Sequence, residues 1–298
     1  MLVVMMSGCD SNVQRDTTGP DPEVFPTDRT PAWSPGGDRI AYFHDAGETD
    51  DTTDVSGLYV LDLRADSTWL MAEGSARHPD WRPDGERIAF SAGNIYTVRP
   101  DGSNLQRLTD FGDSFHPDWS PDGKRLAFDT SYRDENGAHV IWLMDPDGNR
   151  LTDISEHGVG EWRDPDWSVE GRKLVHLRFL DNTFGEEIFV MDSTGANPVR
   201  LTNNERNDRS PAWSPDGEWI AWAPGTDDGL AVSVMRADGS DQKRLVEAPA
   251  AEPSWAPDSE RLVFIKPDPE TGRTALWTIR RDGSDLRQIT DPSHNPLN

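Results

Sequence analysis

The sequence is poor in cysteine and in long apolar runs. Its only cysteine is Cys9, so the chain has no internal disulfide that could stabilise its fold. No stretch approaches the roughly eighteen consecutive apolar residues that a transmembrane helix requires. Apolar residues also fail to recur at the 3.6-residue spacing of an amphipathic helix. The sequence therefore predicts almost no helix.

Positive charge is also scarce. The 298 residues carry 29 basic and 54 acidic side chains, a formal net charge of −25, and only four of the basic residues are lysines. Nucleic acids and anionic membranes are bound through clusters of positive charge, so neither is an expected partner. An acidic, lysine-poor composition also resembles that of proteins from halophilic organisms, in which salt screens the self-repulsion. A halophilic source is therefore a hypothesis that follows from the composition.

What the sequence does contain is one phrase repeated six times. The phrase reads Pro-x-Trp-Ser-Pro-Asp-Gly, two variable residues, then Ile-Ala-Phe, and single departures such as Gly36 leave its frame intact. Successive repeat tryptophans are 38 to 48 residues apart. A period of roughly 40–45 residues built from short strands is typical of a propeller blade. The repeat tryptophans, which we expect to pack between blades, are Trp33, Trp81, Trp119, Trp167, Trp213 and Trp255.

Each copy is followed by a second phrase: a short apolar run, an Asp-Gly turn and a segment like Arg-Leu-Thr. The second blade shows it most fully, with Ile95–Val98, Asp101-Gly102 and Arg107–Thr109. Short runs rich in β-branched and aromatic residues, bounded by Gly, Pro and Asp, predict strands joined by tight hairpins. The sequence therefore predicts an all-β fold, a six-bladed β-propeller of four-stranded antiparallel blades. We label the strands of each blade A to D in chain order.

The chain before the repeats has a different character. Residues 2–6 are apolar, and Ser7-Gly8-Cys9 resembles the end of a bacterial lipobox, in which the cysteine is lipidated. Residues 10–29 are polar, contain three prolines, and suit a flexible tether. We thus predict a signal and lipobox segment at 1–9, a tether at 10–29, and a propeller at 30–298 with blades beginning near residues 30, 78, 116, 164, 210 and 252.

Loops of uneven length indicate where the propeller binds. The A–B and C–D turns are short and uniform at one end of the blades, whereas the B–C and D–A loops vary and share the other end, which we call the loop face. Aromatic and arginine side chains, which are enriched at interface hot spots, occur in these loops. Phe111 and Phe115 are expected to pack onto the blade tops, while Trp162 has no place in the repeat. The predicted binding residues are Tyr132, Arg133, Trp162, Arg163, Phe184, Arg206 and Arg209.

The residue before each Pro-x-Trp begins the innermost strand, near the central channel. These six positions, which we call the mouth residues, are Thr30, His78, His116, Asp164, Ser210 and Glu252. Imidazole and carboxylate groups are metal ligands, so His78, His116 and Asp164 are an alternative metal site. The simpler interpretation is that these residues cap the strand. We predict no cofactor and no metal.

The repeated phrase, with its trailing Asp-Gly and Arg-Leu-Thr, closely resembles the WD40-like PD40 repeat of the TolB propeller family. The resemblance covers about residues 30–290. The resemblance implies a six-bladed propeller. Because the family has a periplasmic member that binds other proteins, it also implies a protein-binding role in the cell envelope. The related oligogalacturonate lyase propellers carry metal-binding histidines around the axis, which in this sequence would correspond to His78 and His116.

These features lead to one main functional hypothesis. The chain is predicted to be a monomeric, extracytoplasmic, lipid-anchored propeller, not an enzyme, whose loop face binds an envelope protein or a glycan. The alternative is a metal-dependent polysaccharide lyase or hydrolase with its site at the channel mouth. How the ring closes is left open by the sequence, because the sixth repeat shares no evident sheet with the first.

Overall fold

A computed structural model describes residues 27–47, 54–134, 137–155, 160–179, 185–291 and 296. Within them the chain forms six four-stranded antiparallel sheets and one two-stranded ribbon. The described residues contain no helix, and hence none that could cross a membrane. The prediction of an all-β, six-bladed propeller with four-stranded antiparallel blades is confirmed.

Each blade uses four strands in chain order, and the short two-stranded ribbon is inserted in the fifth blade. In the described residues the strands are β1 (Thr27–Trp33), β2 (Arg39–Asp45), β3 (Gly57–Asp62), β4 (Ser67–Glu73), β5 (Arg77–Trp81), β6 (Ile88–Ser91), β7 (Ile95–Val98), β8 (Gln106–Arg107), β9 (Ser114–Trp119), β10 (Leu126–Thr130), β11 (Val140–Met144), β12 (Thr152–Asp153), β13 (Glu161–Trp167), β14 (Lys173–Phe179), β15 (Glu186–Asp192), β16 (Val199–Arg200), β17 (Arg209–Trp213), β18 (Trp219–Ala223), β19 (Gly225–Thr226), β20 (Gly229–Leu230), β21 (Val232–Arg236), β22 (Lys243–Val246), β23 (Ala251–Trp255), β24 (Arg261–Pro267), β25 (Thr274–Arg280) and β26 (Arg287–Gln288).

The apolar core lies between neighbouring blades. One cluster, for example, joins Leu58 and Val60 of the first blade to Trp81, Ile88 and Phe90 of the second. The B and C strands are covered on both faces, which explains why they read as continuous apolar runs. Five of the six repeat tryptophans are buried and the sixth is half-buried, as predicted for residues that fill the gaps between blades.

The ring closes without sharing a strand. Every described four-stranded sheet takes its strands from one blade, so no described strand of the sixth blade pairs with a strand of the first. The hydroxyl of Thr290 donates to Oδ2 of Asp28 at 2.6 Å, and the N–H of Thr30 donates to Oε2 of Glu252 at 2.6 Å. Trp33 also belongs to a core cluster that spans the two blades. Packing and these hydrogen bonds therefore hold the junction.

Candidate functional site

A bulge at the same position of every A strand shapes the channel. Each of the six mouth residues has a positive φ, between 48° and 56°, and the pairing of strands A and B shifts register at that point. A β-bulge bends its strand and redirects the side chain. The proline that follows each mouth residue lines the central cavity of the propeller.

The mouth residues surround a cavity of about 320 Å³. Arg163 and Arg209, two of the binding residues predicted for the loop face, line the same cavity, and so does Glu186. The structure thus brings the six mouth residues and two of the seven predicted binding residues into one site.

Histidine and aspartate form a hydrogen-bonded network beside the mouth. Asp129, which is buried in β10, binds two imidazoles through its two oxygens: Nδ1 of His116 at 2.6 Å and Nδ1 of His139 at 2.8 Å. The ring of His78 lies 4.0 Å from that of His116 between centroids, and Nδ1 of His78 is 3.0 Å from the hydroxyl of Ser91. The sequence predicted the two mouth histidines but not Asp129 or His139.

This network separates the charge states of the mouth histidines. Burial lowers the pKa of His116, but the carboxylates of Asp129 and Asp164 together outweigh burial and raise that pKa to about 9. Burial and the neighbouring His116 charge hold the pKa of His78 well below its ordinary value. Burial works against ionisation of Asp129, yet its two imidazole partners lower its pKa. At neutral pH the mouth therefore holds one charged imidazole next to one neutral imidazole.

The mouth carboxylates are used to join blades. Glu252 accepts the backbone N–H of Thr30, and Asp164 accepts that of Ser210, each in the following blade. Among the described residues, no group of three His, Cys, Asp or Glu side chains is arranged to hold a metal ion. Glu252 and Asp164 therefore each tie their own blade to the next one.

Three deeper carboxylates, absent from the predicted sites, occupy the variable position of Pro-x-Trp. Each accepts a hydrogen bond from the backbone N–H of the repeat tryptophan in the next blade. The pairs are Asp80 with Trp119 at 2.7 Å, Asp118 with Trp167 at 2.7 Å, and Asp166 with Trp213 at 2.8 Å. Burial raises the pKa of Asp80 to about 7, and it raises the pKa values of Asp118 and Asp166 well above their ordinary value. The recurrence of Asp in three adjacent repeats was the signal that could have identified them.

We expect Asp118→Asn to stabilise the protein at pH 8 and to have little effect at pH 4. Because the pKa of Asp118 is higher in the folded state, its ionisation costs nothing below the unfolded pKa, and the cost grows as pH rises toward the folded pKa. Asparagine keeps the oxygen that accepts the N–H of Trp167. We expect a gain of about 2–4 °C in Tm at pH 8, which corresponds to about 1 kcal/mol in a protein of this size. Equal gains at both pH values, measured by thermal unfolding, would contradict this explanation.

Tyr132 and Arg133 form a stacked group with Phe111 at the outer part of the loop face. The rings of Phe111 and Tyr132 are 3.9 Å apart and nearly parallel, at 14°. The guanidinium carbon of Arg133 lies over the Tyr132 ring at 4.8 Å. Phe111 thus packs back onto the blade, as expected, and in doing so it supports two predicted binding residues.

The prediction for Trp162 is wrong. Its side chain is fully buried in β13, the ring of His176 stacks on it at 4.8 Å, and the guanidinium of Arg178 lies over it at 4.3 Å. The A strand of the fourth blade begins early, at Glu161, so Trp162 is drawn into the core between blades three and four. A side chain in this position offers no surface to a partner.

Of the remaining predicted residues, two arginines form ion pairs, and two residues lie outside the described part of the chain. Arg206 pairs with Asp227 at 2.6 Å, and Arg209 pairs with Glu186 at 3.0 Å. Phe184 and Cys9 lie outside the described residues. Both Arg206 and Arg209 are therefore already neutralised by a neighbouring carboxylate.

Comparison with known proteins gives consistent matches. A family model for the TolB β-propeller domain matches residues 27–185 and 160–296. An uncharacterized protein of Agrobacterium fabrum is 27% identical over 195 residues, which are 64% of this chain and 65% of that protein. A TolB homolog of Chlorobaculum tepidum is 32% identical over 124 residues, 41% of this chain and 28% of that protein. The match therefore spans less than two thirds of the length of either relative.

Solved structures agree on the fold. The crystal structure of TolB from Acinetobacter baumannii has a TM-score of 0.65 at 21% identity, and the match covers 78% of this chain and 57% of that chain. At this level of identity the likeness concerns the arrangement of blades and says nothing about the ligand.

Proposed function

Because this chain belongs to the TolB β-propeller domain family, we propose that it binds a partner protein of the bacterial cell envelope on its loop face. The observation that carries the proposal is the convergence of Arg163, Arg209 and the six mouth residues on one cavity of about 320 Å³. Ligand sites are typically concave and combine apolar walls with a few convergent polar groups. The six prolines supply the walls here, and the arginines supply the polar groups.

The opposite end of the propeller supports this choice of face. There the turns are nearly identical, and several of their arginines pair with neighbouring carboxylates, as Arg39 does with Asp62 at 3.3 Å and Arg261 with Asp258 at 2.9 Å. Exposed ion pairs of this kind contribute little energy. The loop face differs in loop length and side-chain type between blades, which is what specific recognition requires.

A protein suits the cavity better than a glycan does. Among the described residues, the cavity lining contains no phenylalanine, tyrosine or tryptophan on which a sugar ring could stack. Its apolar surface comes from proline rings, from three alanines, and from Leu177 and Leu230. Aliphatic walls with an arginine rim fit the side chains of a protein segment.

We extend the proposal to the location of the protein. The lipobox-like residues 7–9 and the polar residues between them and β1, which begins at Thr27, would tether the propeller to a membrane, and the family resemblance favours an extracytoplasmic compartment. Replacing Cys9 by Ser should then move the full-length protein from the membrane fraction to the soluble fraction. Equal membrane association of both forms would count against the anchor.

The binding proposal is tested by cross-linking in envelope extract. We expect the full-length chain to capture a defined protein, and we expect Arg209→Ala combined with Tyr132→Ala to reduce the capture at least tenfold. Arg64→Ala, at the opposite end, is the control because Arg64 is a surface residue with a long ion pair, to Asp38 at 3.5 Å. Capture that is unaffected by the loop-face change, or a polysaccharide as the captured molecule, would refute the proposal.

A further inference from the structure

Both faces of the Tyr132 ring are covered. Phe111 lies parallel to the ring at 3.9 Å, which leaves no room for another group on that side. The guanidinium of Arg133, 4.8 Å from the ring centre, must therefore cover the other face. Arg133 is exposed and Tyr132 is half-buried, so the guanidinium is the outermost layer of the stack. What the stack offers to a partner is the guanidinium and not an aromatic face.

The stack is held in place by the loops below it. The hydroxyl of Ser131 makes a short hydrogen bond to Oδ2 of Asp113, which ties the B–C loop of the third blade to the preceding D–A loop. The N–H of Tyr132 donates to the hydroxyl of Thr130 at 3.1 Å. Fixing a guanidinium before binding lowers the entropy that is lost when a ligand arrives.

The backbone of Arg133 is in a conformation that disfavours an arginine. Its φ is 64°, in the left-handed region, where a residue with a Cβ is less stable than glycine. The guanidinium lies over the rings of Tyr132 at 4.8 Å and of the buried Trp142 at 6.0 Å, but the side chain remains exposed. A strained backbone that presents an exposed side chain is a reason to look for a ligand.

Arg133 also differs from the other predicted loop arginines in its charge environment. Arg163 pairs with Glu161 at 2.6 Å, while Arg206 and Arg209 have the carboxylate partners given above. Arg133 forms no ion pair with any residue that the structure describes, in a chain with 54 acidic side chains. Its charge is thus available to a partner.

We infer that the Arg133 guanidinium, stacked on Tyr132, is the receptor for an aspartate or glutamate side chain of the partner protein. This inference rests on the proposed function and adds the chemistry of one contact. Arginine binds a carboxylate through two parallel N–H···O bonds, and stacking on an aromatic ring leaves the edge of the guanidinium free to make them. A sugar would need an open aromatic face, which the stack lacks.

Acetate tests the receptor without the partner. We expect the side-chain Nε–H signal of Arg133 in NMR spectra of the full chain to shift and saturate with sodium acetate, at a concentration at least tenfold below that needed for Arg172. Arg172 is exposed at the opposite end and has no ion pair among the described residues, so its signal gives the acetate response of an ordinary exposed arginine. Acetamide should shift neither signal. Equal responses of the two arginines to acetate would overturn the inference.

Variants test the contact with the captured partner. Arg133→Gly should lower the affinity at least tenfold while Tm stays the same or rises, because glycine tolerates the left-handed backbone. Arg133→Lys keeps the charge but loses the paired hydrogen bonds, so an intermediate loss is expected, and Arg172→Ala should change nothing. A fall in Tm in parallel with affinity would mean a structural role and would overturn the inference. Failure of the wild type to capture any protein would instead refute the proposed function, and the acetate result would stand apart from it.

Discussion

Replacing Gly195 by alanine is expected to cost about 4 kcal/mol of the free energy of unfolding, at the upper end of what single substitutions do. A Cβ at this position would overlap the carbonyl oxygen of Ile154 and lie 2.7 Å from its carbonyl carbon. Both are backbone atoms at the outer edge of the preceding blade, so they cannot move aside as a flexible side chain would. The φ of Gly195 is also +82°, which adds strain to any residue with a Cβ.

Gly85→Ala is the matched control for this prediction. Gly85 also sits in a hairpin turn with a positive φ, +72°, but nothing lies within 4 Å of its ideal Cβ position. Alanine there should cost only the backbone strain, about 1 kcal/mol. Chemical unfolding followed by tryptophan fluorescence gives both values. Similar losses for the two variants would show that the contact between blades contributes nothing at Gly195.

This pair of glycines shows what the sequence could and could not predict. Glycine at Asp84-Gly85 and at Thr194-Gly195 predicts a tight turn in both places, because a residue without a Cβ accepts the positive φ of the turn. It does not show that the C–D turn of one blade presses against the chain at the end of strand D of the preceding blade. The same approach occurs at Gly148, where a Cβ would lie 2.5 Å from the carbonyl oxygen of Leu108. Contacts between blades depend on how the sheets pack, and no local pattern encodes that.

The candidate site also contains features that the repeat predicts and features that it does not. The repeat placed His78 and His116 at the channel, because their position in the frame fixes their position in the blade. Asp129 lies on strand B, one residue after the repeated phrase, so the frame does not predict its link to His116. The prediction for Trp162 fails for the opposite reason: a position outside the repeat does not leave a side chain free, because the A strand of this blade starts early and buries it.

Asp129→Asn is expected to cost about 3–5 kcal/mol at pH 7, the range for removing one partner of a buried ion pair. Asp129 receives hydrogen bonds from His116 and His139 and from the backbone N–H of Asp164 at 3.1 Å. An amide has one acceptor oxygen where the carboxylate has two, and it carries no charge to balance His116. Asp113→Asn is the control, because Asp113 is half-exposed and its contact with His139 is longer, at 3.5 Å. We expect that variant to lose at most about 1 kcal/mol.

The loss caused by Asp129→Asn should depend on pH in a defined direction. The pKa of His116 in the folded protein is raised to about 9, above its unfolded value of about 6.5. The stability that the His116–Asp129 pair contributes is therefore fully present below about pH 6.5 and is lost as pH rises through about 9. The difference in Tm between wild type and Asp129→Asn should thus be largest near pH 6 and should shrink by pH 9.5.

The two curves must be subtracted, because His44 also titrates in this range: Asp28 and Asp54 raise its pKa against its burial, and this change is common to both proteins. A difference that stays constant from pH 6 to 9.5 would mean that His116 is uncharged in the folded protein, and the channel mouth would then lack the buried positive charge that sets it apart from the acidic surface around it.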